Sequence, residues 1–80
     1  MSIHAATLAH SPRLQSVLAF LRLRGAAGAT TRDLIQATGY CAINSIAAEI
    51  RAGGIPVTCV MEARGRFRYR LAEFAPPAPP

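Results

Sequence analysis

The sequence predicts a small α+β domain in which three helices are followed by a two-stranded antiparallel β-hairpin. Apolar residues recur at helical spacing in three stretches that end by residue 52, whereas two stretches between residues 57 and 71 have a period of two. Glycine follows each of the three helical stretches. The chain has 80 residues, of which sixteen are alanine, so the larger apolar side chains suffice for one modest core.

The first helix is predicted to begin at Ser11, whose hydroxyl can cap it, with Pro12 at the first helical position. Gly25 is expected to end this helix, and Arg22 and Arg24 in the last turn favour the negative end of the helix dipole. Its apolar stripe has the spacing i, i+3, i+4, i+7 and consists of Leu14, Val17, Leu18 and Leu21.

A second, short helix is predicted for residues 31–38, because Thr30 is followed three residues later by an acid, as in a capping box. Gly39 can provide a left-handed stop. The helical period resumes after a turn of about three residues and ends at Gly53, which gives a third helix and a helix-turn-helix unit. The residues expected to face the core are Leu34 and Ile35 in the second helix and Ile43, Ile46, Ala47 and Ile50 in the third.

The hairpin is predicted from the alternating segments 57–62 and 66–71. A three-residue loop over residues 63–65, with Gly65 in the left-handed conformation, would place residue 61 opposite 67, 59 opposite 69 and 57 opposite 71. This register puts the apolar side chains on one face, with Phe67 and Tyr69 pointing inward, and the arginines on the other face. A two-residue loop would mix the two faces, so we expect the longer loop.

Residues 1–10 lack a clear period and are expected to form an N-terminal arm, residues 11–74 the folded domain, and the Ala-Pro-rich residues 75–80 a disordered tail. No apolar run is long enough to span a membrane and no secretory signal is evident, so we expect a soluble, cytoplasmic protein. Cys41 and Cys59 fit neither zinc spacing nor a disulfide framework and are expected to be free, semi-buried thiols.

All nine basic residues are arginine, and they are opposed by only four acidic residues, which gives a net charge of +5. Arginine binds phosphate through a planar fork of donors, so this composition favours a polyanionic partner, with an ordinary basic surface as the alternative. No nucleophile-base pair, carboxylate pair or phosphate-cradling glycine loop occurs at a plausible spacing. We therefore expect neither an enzyme nor a bound cofactor or metal.

The segment from Thr31 to Val57 resembles the winged helix-turn-helix family of DNA-binding domains, and above all its small phage and prophage members. The positions of the family pattern in the second helix, the turn, the third helix and the approach to the wing are filled by Leu34, Gly39, Tyr40, Ile46, Ile50, Gly53 and Ile55. The resemblance covers about residues 11–74. It implies a transcriptional regulator or excisionase-like factor whose third helix enters the major groove of double-stranded DNA while the hairpin serves as a wing.

The resemblance places Asn44 and Ser45 where the family reads bases, and asparagine can pair with adenine, although both side chains could equally just solvate an exposed face. Arg51 is expected on backbone phosphate. The alternating arginines of the wing are expected on phosphate or, at the tip, in the minor groove, and the alternative is a charged edge strand that resists aggregation. The complete expected DNA-contacting set is Arg32, Ala42, Asn44, Ser45, Arg51, Arg64, Arg66, Arg68 and Arg70.

Two further expectations concern partners. A single module of this size buries little interface on DNA, so useful specificity calls for a homodimer or for paired sites. A host protein is the rival partner, and the chain would then be a winged helix that acts as a phage-encoded inhibitor or adaptor of a host nucleoprotein complex. The outward face of the third helix favours this rival because it carries Ala42, Ala48 and Ala52 but only one cation.

Overall fold

A computed structural model describes residues 8–74 as a small α+β fold in which helices pack on a three-stranded antiparallel sheet. The proposed tail at 75–80 and the first seven residues of the proposed arm lie outside the described residues. Residues 8–10 are helical. The elements that follow are α1 (Pro12–Arg24), a 3-10 turn (Gly25–Ala27), β1 (Ala29–Thr30), α2 (Thr31–Thr38), α3 (Ile43–Ala52), β2 (Val57–Ala63), β3 (Arg66–Leu71) and a second 3-10 turn (Ala72–Phe74).

Helix α1 has the bounds and the buried stripe that its sequence predicts. The Ser11 hydroxyl accepts a hydrogen bond from the Leu14 amide at 3.3 Å, and Pro12 occupies the first turn. Gly25 follows the last residue with a positive φ of 53°, and its amide bonds back to the Leu21 carbonyl. The stripe is buried as expected and consists of Leu14, Val17, Leu18 and Leu21.

The predicted capping box at the start of α2 is confirmed. The Thr30 hydroxyl accepts from the Asp33 amide at 3.1 Å, and the Asp33 carboxylate accepts from the Thr30 amide at 3.0 Å. Gly39 ends the helix in the left-handed conformation, with φ of 81°. Helix α3 begins after residues 40–42, and its cap position is occupied by Ala42, which offers no side-chain hydrogen bond.

The core lies between the helices and the root of the sheet. All four residues expected inward from α3 are buried, and so is Leu34, whereas Ile35 is only partly buried against the core. Leu8 also belongs to the core, so the packed unit extends beyond the Ser11 boundary expected from the sequence. Among the described residues, no helix is long and apolar enough to cross a membrane.

The sheet contains a third strand that the sequence pattern does not predict. The two-residue strand β1 pairs with β3 through Ala29 opposite Tyr69 and Thr30 opposite Arg68, which gives the order β1-β3-β2. Gly28 permits this approach, because a Cβ at that position would lie 2.6 Å from the Tyr69 carbonyl oxygen. The sheet is therefore three-stranded rather than the two-stranded hairpin that was expected, and β3 lies at its centre.

The predicted hairpin register is confirmed: residue 57 pairs with 71, 59 with 69 and 61 with 67. The turn differs in detail, because Ala63 pairs with Arg66 and only Arg64 and Gly65 lie between the strands. A register irregularity between Met61 and Ala63 compensates for the shorter turn. A β-bulge of this kind adds one residue to a strand, so it preserves the face assignment that a regular two-residue hairpin would have lost.

The outer half of the hairpin extends beyond the helices. Met61 is 62% exposed and Phe67 is 39% exposed, whereas Tyr69 and Leu71 on the same face are buried. The expectation that Phe67 is held inward is therefore wrong, because the face is correct but none of the described helices covers Phe67 near the tip. The same reason applies to Cys59, which is exposed, as is Cys41, so the expectation of semi-buried thiols is also wrong.

Candidate functional site

A cleft of about 420 Å³ separates the start of α2 from the tip of the hairpin. We call it the arginine cleft. Its walls bring together Arg32 from the first turn of α2 and Arg66 from the first residue of β3, although 34 positions separate them in sequence. The other walls are formed by Thr30, Thr31, Asp33, Gly65, Phe67 and Arg68.

Three of the expected DNA-contacting arginines are exposed and have no partner in the part of the chain that the structure describes. Arg32, Arg64 and Arg66 make no side-chain hydrogen bond and no ion pair with any residue from 8 to 74. Arg64 lies in the turn directly beside the cleft residue Gly65. Their guanidinium groups are thus exposed to solvent and make no polar contact with residues 8–74.

The other two arginines of the wing, Arg68 and Arg70, form hydrogen bonds with groups of the same chain. The Arg68 Nε donates to the Glu62 carboxylate at 2.7 Å, and a second nitrogen of the same guanidinium donates to the Ala27 carbonyl at 3.0 Å. Arg70 donates to the Ala26 carbonyl at 2.8 Å. The 3-10 turn before β1 therefore lies over the inner two arginines, whose guanidinium groups keep further donors that these bonds do not use.

The ion pair between Glu62 and Arg68 shifts both groups toward their charged forms. The hydrogen bond from Arg68 lowers the pKa of the Glu62 carboxyl, and the same bond raises the pKa of the Arg68 guanidinium. Both side chains are accessible to solvent, so the pair fixes geometry more than it adds stability. It also neutralises the charge of Arg68, which lines the arginine cleft.

Arg51 was expected on backbone phosphate, but its Nε donates to the Val57 carbonyl at 2.7 Å. This bond joins the end of α3 to the first residue of β2. Since the guanidinium has further donors, the contact uses only part of its capacity. Within residues 8–74, Arg51 therefore links helix α3 to the beginning of the hairpin.

The expected base-reading residues Asn44 and Ser45 lie on the exposed face of the first turn of α3, beside the exposed Ala42. The Asn44 side-chain oxygen accepts from the Ser45 amide at 2.9 Å. Because Ala42 cannot cap the helix, this bond satisfies one of its otherwise unpaired amides. The Asn44 amide nitrogen has no hydrogen bond to residues 8–74, and its oxygen has a second lone pair for a further donor.

A second groove, of about 360 Å³, lies between the first turn of α3 and the hairpin face. It brings Cys41 and Cys59 to the same space, which their separation of 18 positions did not suggest. Tyr69 forms part of its wall, and the pKa of its phenol is raised, chiefly by burial and also by the Cys59 thiol.

Within residues 8–74, no group of three or more His, Cys, Asp or Glu side chains could hold a metal ion.

The order of the strands bears on the interpretation of the arginines as protection for a sheet edge. A charged edge strand protects a sheet from pairing with other sheets. Strand β1 pairs with β3 at Tyr69 and Arg68 alone, so Arg66 near the tip lies beyond the part of β3 that β1 covers, and the charged-edge interpretation stays open there. Comparisons of the chain with protein-family models, with curated proteins and with solved structures found no match.

Proposed function

We propose that the protein is a winged helix-turn-helix DNA-binding protein, a transcriptional regulator or excisionase-like factor of phage or bacterial origin that acts in the cytoplasm. Helix α3 would lie in the major groove, and the hairpin would serve as the wing. The observation that carries the proposal is the arginine cleft, which Arg32 and Arg66 line from two elements and where neither has a partner among residues 8–74.

The charge arrangement of the cleft supports an anionic partner. Two cations that converge on one cleft repel one another, and an anion placed between them removes that repulsion. Each guanidinium offers a planar fork that matches a phosphate group. Asp33 also lines the cleft, but its carboxylate accepts the Thr30 amide in the capping box and so is directed toward the backbone.

The geometry of the hairpin supports different roles for its inner arginines and for those at its tip. Arg68 and Arg70 fix the sheet to the preceding turn, whereas the tip residues Arg64 and Arg66 extend from a rigid base. Phosphate contacts fix the position of a protein on the duplex, whereas contacts with base edges provide the sequence preference. We therefore assign backbone contact to Arg32, Arg64 and Arg66 and place base contact at Asn44 and Ser45.

Fluorescence anisotropy on mixed-sequence duplex DNA at several salt concentrations tests the proposal. Each phosphate contact contributes roughly 0.9 to the slope of log affinity against log salt, so Arg66→Ala is expected to lower that slope by about 1. The matched control is Arg22→Ala, which removes the same charge from an exposed site in α1. Equal losses for the two variants would show that only net charge matters and would refute a phosphate site at the cleft.

A second candidate function keeps the fold and changes the partner to a host protein, as for a phage-encoded inhibitor or adaptor of a nucleoprotein complex. It is favoured by the outward face of α3, where Ala42, Ala48 and Ala52 are exposed and the Asn44 side chain is bonded to its own helix. Absence of DNA binding even at low salt, with capture of one host protein that is lost on Ala48→Arg, would support this candidate.

A further inference from the structure

The strand β2 has an open edge. In the order β1-β3-β2, the strand β3 pairs on both sides, whereas β2 pairs with β3 alone among the described residues. Strands at such edges present unpaired amide and carbonyl groups, which pair readily with another strand unless something prevents it.

The usual protections are missing from most of this edge. Residues 57–63 contain no proline, lysine or arginine, and their one charged residue, Glu62, is paired with Arg68 on the neighbouring strand. Val60 is 51% exposed and Met61 is 62% exposed. The bulge between Met61 and Ala63 interrupts only the end near the turn, so residues 58–61 remain a regular, apolar edge.

The contacts at the root of the strand show which backbone groups point outward. The Val57 carbonyl accepts a hydrogen bond from the side chain of Arg51, so it faces away from β3. Successive residues of an antiparallel strand direct their backbone groups to opposite sides, so Cys59 and Met61 also direct theirs outward. No side chain within residues 8–74 occupies the outward groups of these two residues.

We propose that the β2 edge pairs antiparallel with the β2 edge of a second copy of this chain, with the two-fold axis at Val60. This register places Cys59 of each copy opposite Met61 of the other. It uses only the outward groups that are free and forms four backbone hydrogen bonds, whereas an axis at Cys59 would require the Val57 carbonyl that Arg51 already occupies.

The side chains of the two copies complement each other in this register. On one face, Met61 lies between Phe67 of its own sheet and Cys59 of the second copy, and that Cys59 lies beside its own Tyr69. The four side chains form an apolar row across the dimer interface. On the other face, Glu62 comes beside Thr58 of the second copy, and Thr58 pairs with Arg70 in its own sheet, so opposite charges approach.

The arginines at the two hairpin tips lie far apart, because the two tips point in opposite directions. Arg64 lies four residues from the axis, which places the two Arg64 residues roughly 26 Å apart at 3.3 Å per residue. This separation exceeds the Debye length of about 8 Å at physiological ionic strength. Arg68 pairs with the axis residue Val60, and its charge is opposed by Glu62 of the same copy.

Sedimentation under reducing conditions tests the dimer without reference to DNA binding. The wild-type protein is expected to sediment mainly as a dimer at about 10 µM for a micromolar dissociation constant, a concentration at which a roughly 100-fold weaker dimer is mainly dissociated. Val60→Lys places two ammonium groups on the axis and should raise the dissociation constant roughly 100-fold, since juxtaposed like charges at an interface cost several kcal/mol. The matched control, Leu23→Lys at a site that is 80% exposed on α1, should remain a dimer.

A cross-link tests the register. In the C41S/C59S background, Val60→Cys would place one thiol on the axis in a non-hydrogen-bonded pair, where the Cα atoms lie about 4.5 Å apart and a disulfide can form. Mild oxidation should then give a covalent dimer, and Leu23→Cys in the same background should not. A wild-type protein that sediments as a monomer, or a Val60→Lys variant that folds by circular dichroism and still dimerises, would overturn the proposal.

Discussion

Gly28 is the position where a single methyl group is expected to cost most. It has φ of 65° and ψ of −166°, a region that is accessible almost only to glycine. An added Cβ would also lie 2.6 Å from the Tyr69 carbonyl oxygen and 2.6 Å from the Arg70 side chain. The backbone oxygen cannot move aside by a change of rotamer, so Gly28→Ala must loosen the pairing of β1 with β3.

Two costs add at this position. The backbone conformation costs about 1–3 kcal/mol for a residue with a side chain, and the overpacking costs about 1–3 kcal/mol more. The sum of roughly 2–6 kcal/mol compares with a total stability of about 4–12 kcal/mol for a chain of this length at 0.05–0.15 kcal/mol per residue. Gly28→Ala is therefore expected to remove a large part of the free energy of unfolding.

Gly39→Ala is the matched control, because Gly39 also has a positive φ, of 81°, but nothing lies within 4 Å of an added Cβ. Its expected cost is only the left-handed penalty of about 1–2 kcal/mol. Thermal unfolding followed by circular dichroism should place the Gly28→Ala midpoint at least about 4–8 °C below that of Gly39→Ala, which corresponds to 1 kcal/mol in a domain of this size. Equal midpoints would refute the close approach of β1 to β3.

Three further predictions concern the capping box, the core and the turn before β1. The pKa of Asp33 is lowered chiefly by the Thr30 amide, so its contribution to stability is full above about 3.8, its ordinary value, and is lost as the pH falls through the lowered folded value. Urea unfolding of Asp33→Asn across this range should lack that pH dependence, and a wild-type slope retained in the variant would contradict the assignment. Ile46→Ala, at 0% exposure, should cost about 2–5 kcal/mol in the same assay, whereas the exposed Ser45→Ala should change stability by less than about 0.5 kcal/mol. Arg70→Ala removes the bond to the Ala26 carbonyl and should speed amide hydrogen exchange in residues 26–30, while Arg64→Ala should leave that exchange unchanged.

The helices and the hairpin register were predictable because each has a local cause. Ser11, the Thr30 capping box and Gly39 fix the helix ends through bonds within a few residues of sequence. The register followed from requiring one apolar face, and that requirement is strong enough to hold even though the turn is one residue shorter than expected. The bulge near Met61 absorbed the difference.

Strand β1 could not be predicted in the same way, because a two-residue strand carries no period. Ala29 is fully buried only because Gly28 lets the backbone reach β3, and that contact joins residues 40 positions apart. The small residues that precede Thr30 resemble a loop in sequence because their structural reason lies in the partner strand. The exposure of Phe67 was missed for a related cause, since periodicity fixes the face of a strand and not the height that the helices cover.

The different contacts of Arg66 and Arg68 depend on strand β1 and on the turn that leads into it. Arg66 and Arg68 share a residue type, a strand and a face, so no pattern in the sequence separates them. The structure separates them because the 3-10 turn that leads into β1 places carbonyl oxygens over Arg68 and not over Arg66. Strand β1 covers β3 at Arg68 and Tyr69 alone, so it does not reach Arg66 near the tip. The outer edge of β2, which has no partner strand among the described residues, carries exposed apolar side chains rather than basic ones.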